Sequence, residues 1–314
     1  MARDGRESAY SALVSVTVPI PSEATTRCTP EPQTLCLDNG RFRVRVAWRN
    51  QHAQAGQADH GQAGAVPIPG SVRSGHFWFF RPDNVELVVK ILDGSTVNGF
   101  HWTFYGALTD VEYWITVDDT AWGTSRTYYN PPGRICGVGD TASLPHDGPE
   151  GPPPPAQTVG APAGPGSRLA TSSATPFPPA SRGLSFAAVP GTGRAPLQSP
   201  EPCTPDAETL CLLGGRFRVR VAWEDQHNGG SGAGSAMPYS DRTGFFSFFH
   251  PANVELVVKA LDGRAINGKI WLFYGALSDV GYTITVEDLD DGHAVRQYVN
   301  EPGNLCGRAD TAAF

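Results

Sequence analysis

Six cysteines carry the clearest chemistry in this chain of 314 residues. Cys28 and Cys36 have seven residues between them, and Cys203 and Cys211 repeat that spacing. Each pair ties the chain ahead of a strand to the strand itself, so a local disulfide is the expected reading. Closing so short a loop contributes roughly 2–3 kcal/mol by restricting the unfolded chain. Cys136 and Cys306 are left over, one toward the end of each half. They can bridge to each other, bridge to other chains or stay as buried thiols. No histidine stands at ligand spacing from these sulfurs, so zinc held through cysteine is not expected.

Histidine and acid patterns point away from catalysis. Of eight histidines, only His52 and His227 hold the same place in both halves, in "WRNQH" and "WEDQH". Each opens a Gly-rich loop, where a lone histidine is ordinarily solvated. No G-x-S-x-G elbow, H-E-x-x-H or P-loop occurs, and the Gly-rich loops lack the Lys-Ser/Thr of a phosphate cradle. No catalytic residue is therefore assigned, and the expectation is a protein that is not an enzyme. The acids that coincide between the halves are Glu86/Glu255, Asp93/Asp262, Asp110/Asp279, Asp119/Asp288 and Asp140/Asp310. Most sit at turns, where aspartate bonds the local backbone. "EDLDDGHA" (Glu287–Ala294) gathers four acids and is the one place considered for calcium. It lacks the spacing and closing glutamate of an EF-hand loop, so the expectation is no cofactor and no metal.

Tryptophan separates the halves. Trp48/Trp223 and Trp102/Trp271 recur on apolar segments and read as core. Trp78, Trp114 and Trp122 belong to the first half alone, where the second has Ser247, Thr283 and Asp291. A position that takes Ser, Thr or Asp in a second copy of a fold is not deep core. These three are the candidate binding residues, since exposed aromatics mark an interface or a carbohydrate platform.

The elements that position these residues come in two copies. "GRFRVRVAW" occurs at Gly40–Trp48 and again at Gly215–Trp223. "NVELVVKILDGSTVNG" (Asn84–Gly99) matches "NVELVVKALDGRAING" (Asn253–Gly268), and "FYGALTDVEYWITV" (Phe104–Val117) matches "FYGALSDVGYTITV" (Phe273–Val286). At roughly 115 residues a copy is a domain, not a solenoid repeat. In "RFRVRVAW" Phe42, Val44 and Val46 alternate with Arg41, Arg43 and Arg45, the period of a half-buried strand. The arginines then form a solvated face, paired across to Glu86 or Glu112. In "VEYWITV", Val111, Tyr113, Ile115 and Val117 point inward, with Glu112, Trp114 and Thr116 outward. Turn chemistry ("RPDN", "LDG", "LTD", "VDDTAWG", "NPPG") separates seven or eight short strands per copy. The fold class is all-β: two tandem antiparallel β-sandwich modules, Ig-like in general form.

The boundaries expected are an extension at 1–11, a first module at 12–144, a Pro/Gly/Ser-rich linker at 145–183 and a second module at 184–314. Apolar segments at Ala12–Pro19 and Leu184–Pro190 read as first strands. The first of them docks either in its own module or at a neighbour's sheet edge.

The string L-C-L-x-x-G-R-F-x-V-x-V-x-W, then F-F-x-P-x-N-V-E-L-V-V-K-x-L-D-G-x-x-x-N-G-x-x-W, then D-T-A-x-F, resembles a module of exported bacterial proteins. It stands at Leu35–Trp48, Phe79–Trp102 and Asp140–Leu144, and again at Leu210–Trp223, Phe248–Trp271 and Asp310–Phe314. The first copy departs at its close, with Leu144 where the second has Phe314. The resemblance implies an extracytoplasmic β-module and carries over no catalytic residue.

A net charge of −7 argues against a nucleic-acid binder, which needs a basic face. No run of 18 apolar residues is present to span a membrane. The first residues show no secretion leader, in tension with the oxidising compartment that the cysteines suggest. These features together lead to an expected extracellular or cell-surface structural or adhesion protein. Its partner is expected to be itself, through strand edges in a filament or surface layer, with a cell-surface polysaccharide as the alternative.

Overall fold

The computed structural model describes residues 27–148 and 202–314. The segments Ala12–Pro19 and Leu184–Pro190 and most of the linker lie outside the described residues. In the first module the chain runs through β1 (Leu35–Leu37), β2 (Phe42–Arg49), β3 (His60–Gln62), β4 (Gly64–Pro67), β5 (Ser74–Trp78) and β6 (Leu87–Gly94). A one-turn helix α1 (Ser95–Asn98) then leads to β7 (Phe100–Ala107), β8 (Glu112–Asp119), β9 (Thr124–Asn130) and β10 (Val138–Pro145). The second module repeats this with β11 (Leu210–Leu212), β12 (Phe217–Asp225), β13 (Gly230–Ala233), β14 (Ser235–Pro238), β15 (Thr243–Ser247) and β16 (Leu256–Gly263). It closes with α2 (Arg264–Asn267), β17 (Lys269–Ala276), β18 (Gly281–Asp288), β19 (Ala294–Asn300) and β20 (Arg308–Asp310).

Each module is a sandwich of two antiparallel sheets. The first module has an outer sheet in the order β1-β2-β8-β9, with β3 also on β2, and an inner sheet in the order β10-β7-β6-β5-β4. The second module has the same arrangement. The alternation read from the sequence sets which face is which. Phe42, Val44 and Val46 of β2 and Tyr113, Ile115 and Val117 of β8 are all buried, and they meet Phe77, Leu87, Val89 and Tyr105 of the inner sheet. The second module builds its own core the same way around Phe217, Val219, Ile284 and Val286.

The modules are not independent, because their inner sheets pack on one another. Val85, Val88, Leu108 and Ile68 of the first module form one buried cluster with Phe245, Val254, Val257 and Leu277 of the second. "NVELVVK" is apolar on both faces for this reason: Leu87 and Val89 fill their own sandwich, while Val88 meets the other module. The strands cross closely at "FYGAL". A Cβ on Gly106 would lie 2.7 Å from the Ala276 carbonyl oxygen, and one on Gly275 would lie 2.9 Å from that of Ala107. Cys136 and Cys306 form a third disulfide beside this crossing, and the Gly137 N–H donates to the Leu305 carbonyl at 2.8 Å.

The interface also answers what Glu86 does. It does not pair with the β2 arginines but lies buried at the junction. Lys259 donates to the Val85 carbonyl at 2.8 Å and to Asn84 Oδ1 at 3.0 Å, and the Asn84 amide donates in turn to Glu86. Lys90 returns the contact, donating to the Val254 carbonyl at 2.8 Å, while Asn253 donates to Glu255. Burial pushes both lysines down and both glutamates up from their ordinary ranges. The "N-V-E-L-V-V-K" string is thus a self-complementary contact, each copy meeting the other as in an isologous dimer.

Candidate functional site

The outer sheet of the first module presents a ladder of side chains fixed by strand register. Across β2, β8 and β9 the outward rows are Arg43–Asp118–Ser125, Arg45–Thr116–Thr127 and Ala47–Trp114–Tyr129. Arg49 and Glu112 form the next row. Because side chains alternate with period two, every residue in these rows stands on the face away from the core. Trp114 takes the outward place that the alternation predicts: it is half-buried on this face and stacks on Tyr129, ring centroids 5.3 Å apart at 29°. Tyr129 is 43% exposed, and its hydroxyl donates to Glu112 at 2.8 Å, where Arg49 also pairs. The stack is therefore held in place through the Tyr129 hydroxyl, with the Tyr129 ring exposed to solvent.

The other two tryptophans lie elsewhere. Trp78 ends β5 on the inner sheet, half-buried, with its ring over the Gly64 backbone: a Cβ there would come within 2.0 Å of it. In the second module the same cross-strand pair is Ser235 and Ser247, so Trp78 and Gly64 exchange together. Trp122 is 49% exposed in the β8–β9 turn, and its indole donates to the His146 carbonyl at 3.0 Å. The three tryptophans thus occupy two sheets and a turn, and only Trp114 contributes to an open platform.

Trp102 and Trp271, expected in the core, are only half-buried. Each lies against a strand-end glycine, Gly94 or Gly263, with its indole donating to Asn98 or Asn267 at 2.9 Å. The asparagine supplies the partner that a buried indole needs, which period alone did not reveal. Trp48 is core as expected, and Trp223 is partly buried.

The arginines form more than a solvated face. Arg41 makes a two-pronged contact with the fully buried Asp119, and Arg216 repeats it with Asp288. Arg45 pairs with Asp118 at 2.9 Å. In the second module Arg218 reaches Glu287 at 2.8 Å. In the first, Asp118 is one methylene shorter and is shared with Arg45 and Ser125, and Arg43 has no ion pair among the described residues. Arg43 and Arg45 line a shallow open basin with Arg27, Thr29, Glu31 and Thr34, next to the Cys28–Cys36 clasp.

Both short clasps form, at Cys28–Cys36 and Cys203–Cys211. Three of the four acids in the Glu287–Ala294 segment have side-chain partners: Glu287 meets Arg218 and His293, while Asp288 and Asp290 meet Arg216. His52 and His227 are exposed, as expected of loop histidines, but each rests 3.1 Å from an aspartate, Asp110 or Asp279. One grouping escaped the sequence reading, which placed Asp93 only among the turn acids. Asp93, His101 and His146 come together at the end of the first module's inner sheet, each offering a ligand atom within 4.8 Å of the others. The available signal was that His101 stands where the second copy has Ile270.

No described helix is long and apolar enough to cross a membrane. No protein family, curated protein or solved structure matches the chain in comparison searches.

Proposed function

We propose that the chain is a non-enzymatic structural or adhesion protein working outside the cytoplasm, built from two copies of a recurrent exported β-module. The observation that carries this reading is the Cys136–Cys306 disulfide, which spans 170 residues and fastens two sandwiches already joined by a buried cluster. Cross-linking at that separation contributes about 5 kcal/mol in the chain-entropy treatment. A compact pair with three disulfides suits a protein that must hold its shape where no chaperone repairs it. Self-assembly would use strand edges. β9 and β19 end their outer sheets, and each leaves one side unpaired among the described residues. The test is sizing and electron microscopy of full-length protein over a wide concentration range, with and without Met1–Ser22. Ordered polymers that need the N-terminal segment support the reading; a monomer at every concentration removes the assembly part of it.

A second reading is favoured by the Trp114–Tyr129 stack, which the second module replaces with Thr283 and Val299. A flat aromatic pair bordered by Arg49, Glu112 and Thr116 suits the face of a sugar ring in a surface polysaccharide. Co-sedimentation with insoluble polysaccharides tests it. Loss of binding in Trp114→Ala supports the platform, and unchanged binding removes it.

A further inference from the structure

We propose that Asp93, His101 and His146 form a binding site for a divalent transition-metal ion of the zinc type, in the first module only. Asp93 and His101 are direct cross-strand partners on β6 and β7, so sheet register alone places them together. His101 is 2% exposed, and its Nε2 is buried with no hydrogen-bond partner among the described residues. A buried orphan nitrogen is costly, and a metal bond is one way to satisfy it. The His146 ring stacks on that of His101 with centroids 5.0 Å apart.

The surroundings are organised for ligation. The Nδ1 of His146 lies 2.7 Å from Asp147 Oδ1, a carboxylate partner that leaves Nε2 free as a ligand. The backbone of His146 is pinned: its N–H donates to the Gly99 carbonyl, and its own carbonyl accepts from Arg41 and Trp122. Asp93 Oδ1 accepts the Ser95 N–H, and the Ser95 hydroxyl bonds the same carboxylate, which fixes its position at the strand end. The nearest cation, Arg41, is paired with Asp119, which offsets its repulsion of a metal. Two imidazoles and one carboxylate are a common zinc set, with the fourth position left for water. Zinc ligands lie about 3.3 Å apart around a tetrahedron, so the set must close from its 4.8 Å spread by rotation of the exposed Asp93.

The second module supplies the control. Asp262 is retained there, but Ile270 stands opposite it in place of histidine. His101→Ile therefore installs a residue that this fold already accepts. Calorimetric titration of metal-free full-length protein with Zn2+ tests the site, in a background where the exposed His52, His60, His227, His250 and His293 are replaced by alanine. The expected result is one saturable site, weakened at least tenfold by His101→Ile or His146→Ala. Asp147→Asn is expected to weaken it by a smaller factor. Co2+ loading should give visible absorption that His101→Ile abolishes. Circular dichroism establishes that each variant is folded, and His146→Ala carries the test if His101→Ile is not. No saturable site in the parent, or equal affinity in both folded variants, overturns the proposal.

Discussion

His76→Phe is expected to remove a specific share of the protein's acid sensitivity. His76 is fully buried on β5, its ring 4.7 Å from Tyr239 and 6.4 Å from Phe245 of the other module. Neither ring nitrogen has a partner among the described residues, and burial holds its pKa down at about 4 against an ordinary 6.5. A histidine kept neutral in the folded state contributes its full stability above 6.5, and loses it as pH falls from 6.5 toward 4. The unfolded chain takes up the proton first. A shift of this size corresponds to about 3 kcal/mol, most of it gone by pH 4.5. Glu86 and Glu255 work in the opposite direction over part of the same range, because their raised pKa values let the folded state hold protons longer. The wild type alone therefore shows a blurred profile. The difference between wild type and His76→Phe isolates the histidine, and Phe245 shows that the fold accepts phenylalanine at the matching position. Equilibrium urea unfolding at pH 7.5 and pH 4.5 reads the difference from the midpoints at constant m-value. A relative gain of about 2–3 kcal/mol by the variant at pH 4.5 is expected. A difference that stays flat between the two pH values refutes the neutral, buried histidine.

Other perturbations bear on the module junction. Gly106→Val places a Cβ 2.7 Å from the Ala276 carbonyl, so the modules should part at that crossing. A loss of about 2 kcal/mol or more is expected, read from thermal unfolding. Lys259→Ala leaves the buried Glu86 without its opposing charge and should cost about 3 kcal/mol, whereas Lys259→Met with Glu86→Leu should cost far less. Replacing Cys136 and Cys306 together by serine should lower stability by up to about 5 kcal/mol and expose the junction to protease, with both sandwiches still folded by circular dichroism.

Strand identity was legible because period two is a strong signal, and "RFRVRVAW" obeys it at every position. The repeat gave the architecture, and the C-x7-C spacing gave two of the disulfides. The packing of module on module was less accessible. "NVELVVK" reads as a central strand whether its second face is covered by its own linker, a neighbour or its twin. Only the three-dimensional arrangement shows Lys90 and Lys259 reaching the opposite copy's backbone. Trp102 and Trp271 were misplaced because an asparagine four residues earlier can satisfy an indole at the rim, and hydropathy does not register that. Comparing the copies identified Trp114 but missed Tyr129, which looks ordinary until register sets it beside the indole.

The most direct test is peptide mapping without reduction, on protein isolated from its own cells with free thiols blocked at lysis. Three intrachain links are expected, Cys28–Cys36, Cys203–Cys211 and Cys136–Cys306, with no thiol labelled. Labelled thiols at Cys136 and Cys306 would contradict both the stapled pair and the oxidising compartment proposed for it, and either sulfur bonded to a different chain would contradict the stapled pair.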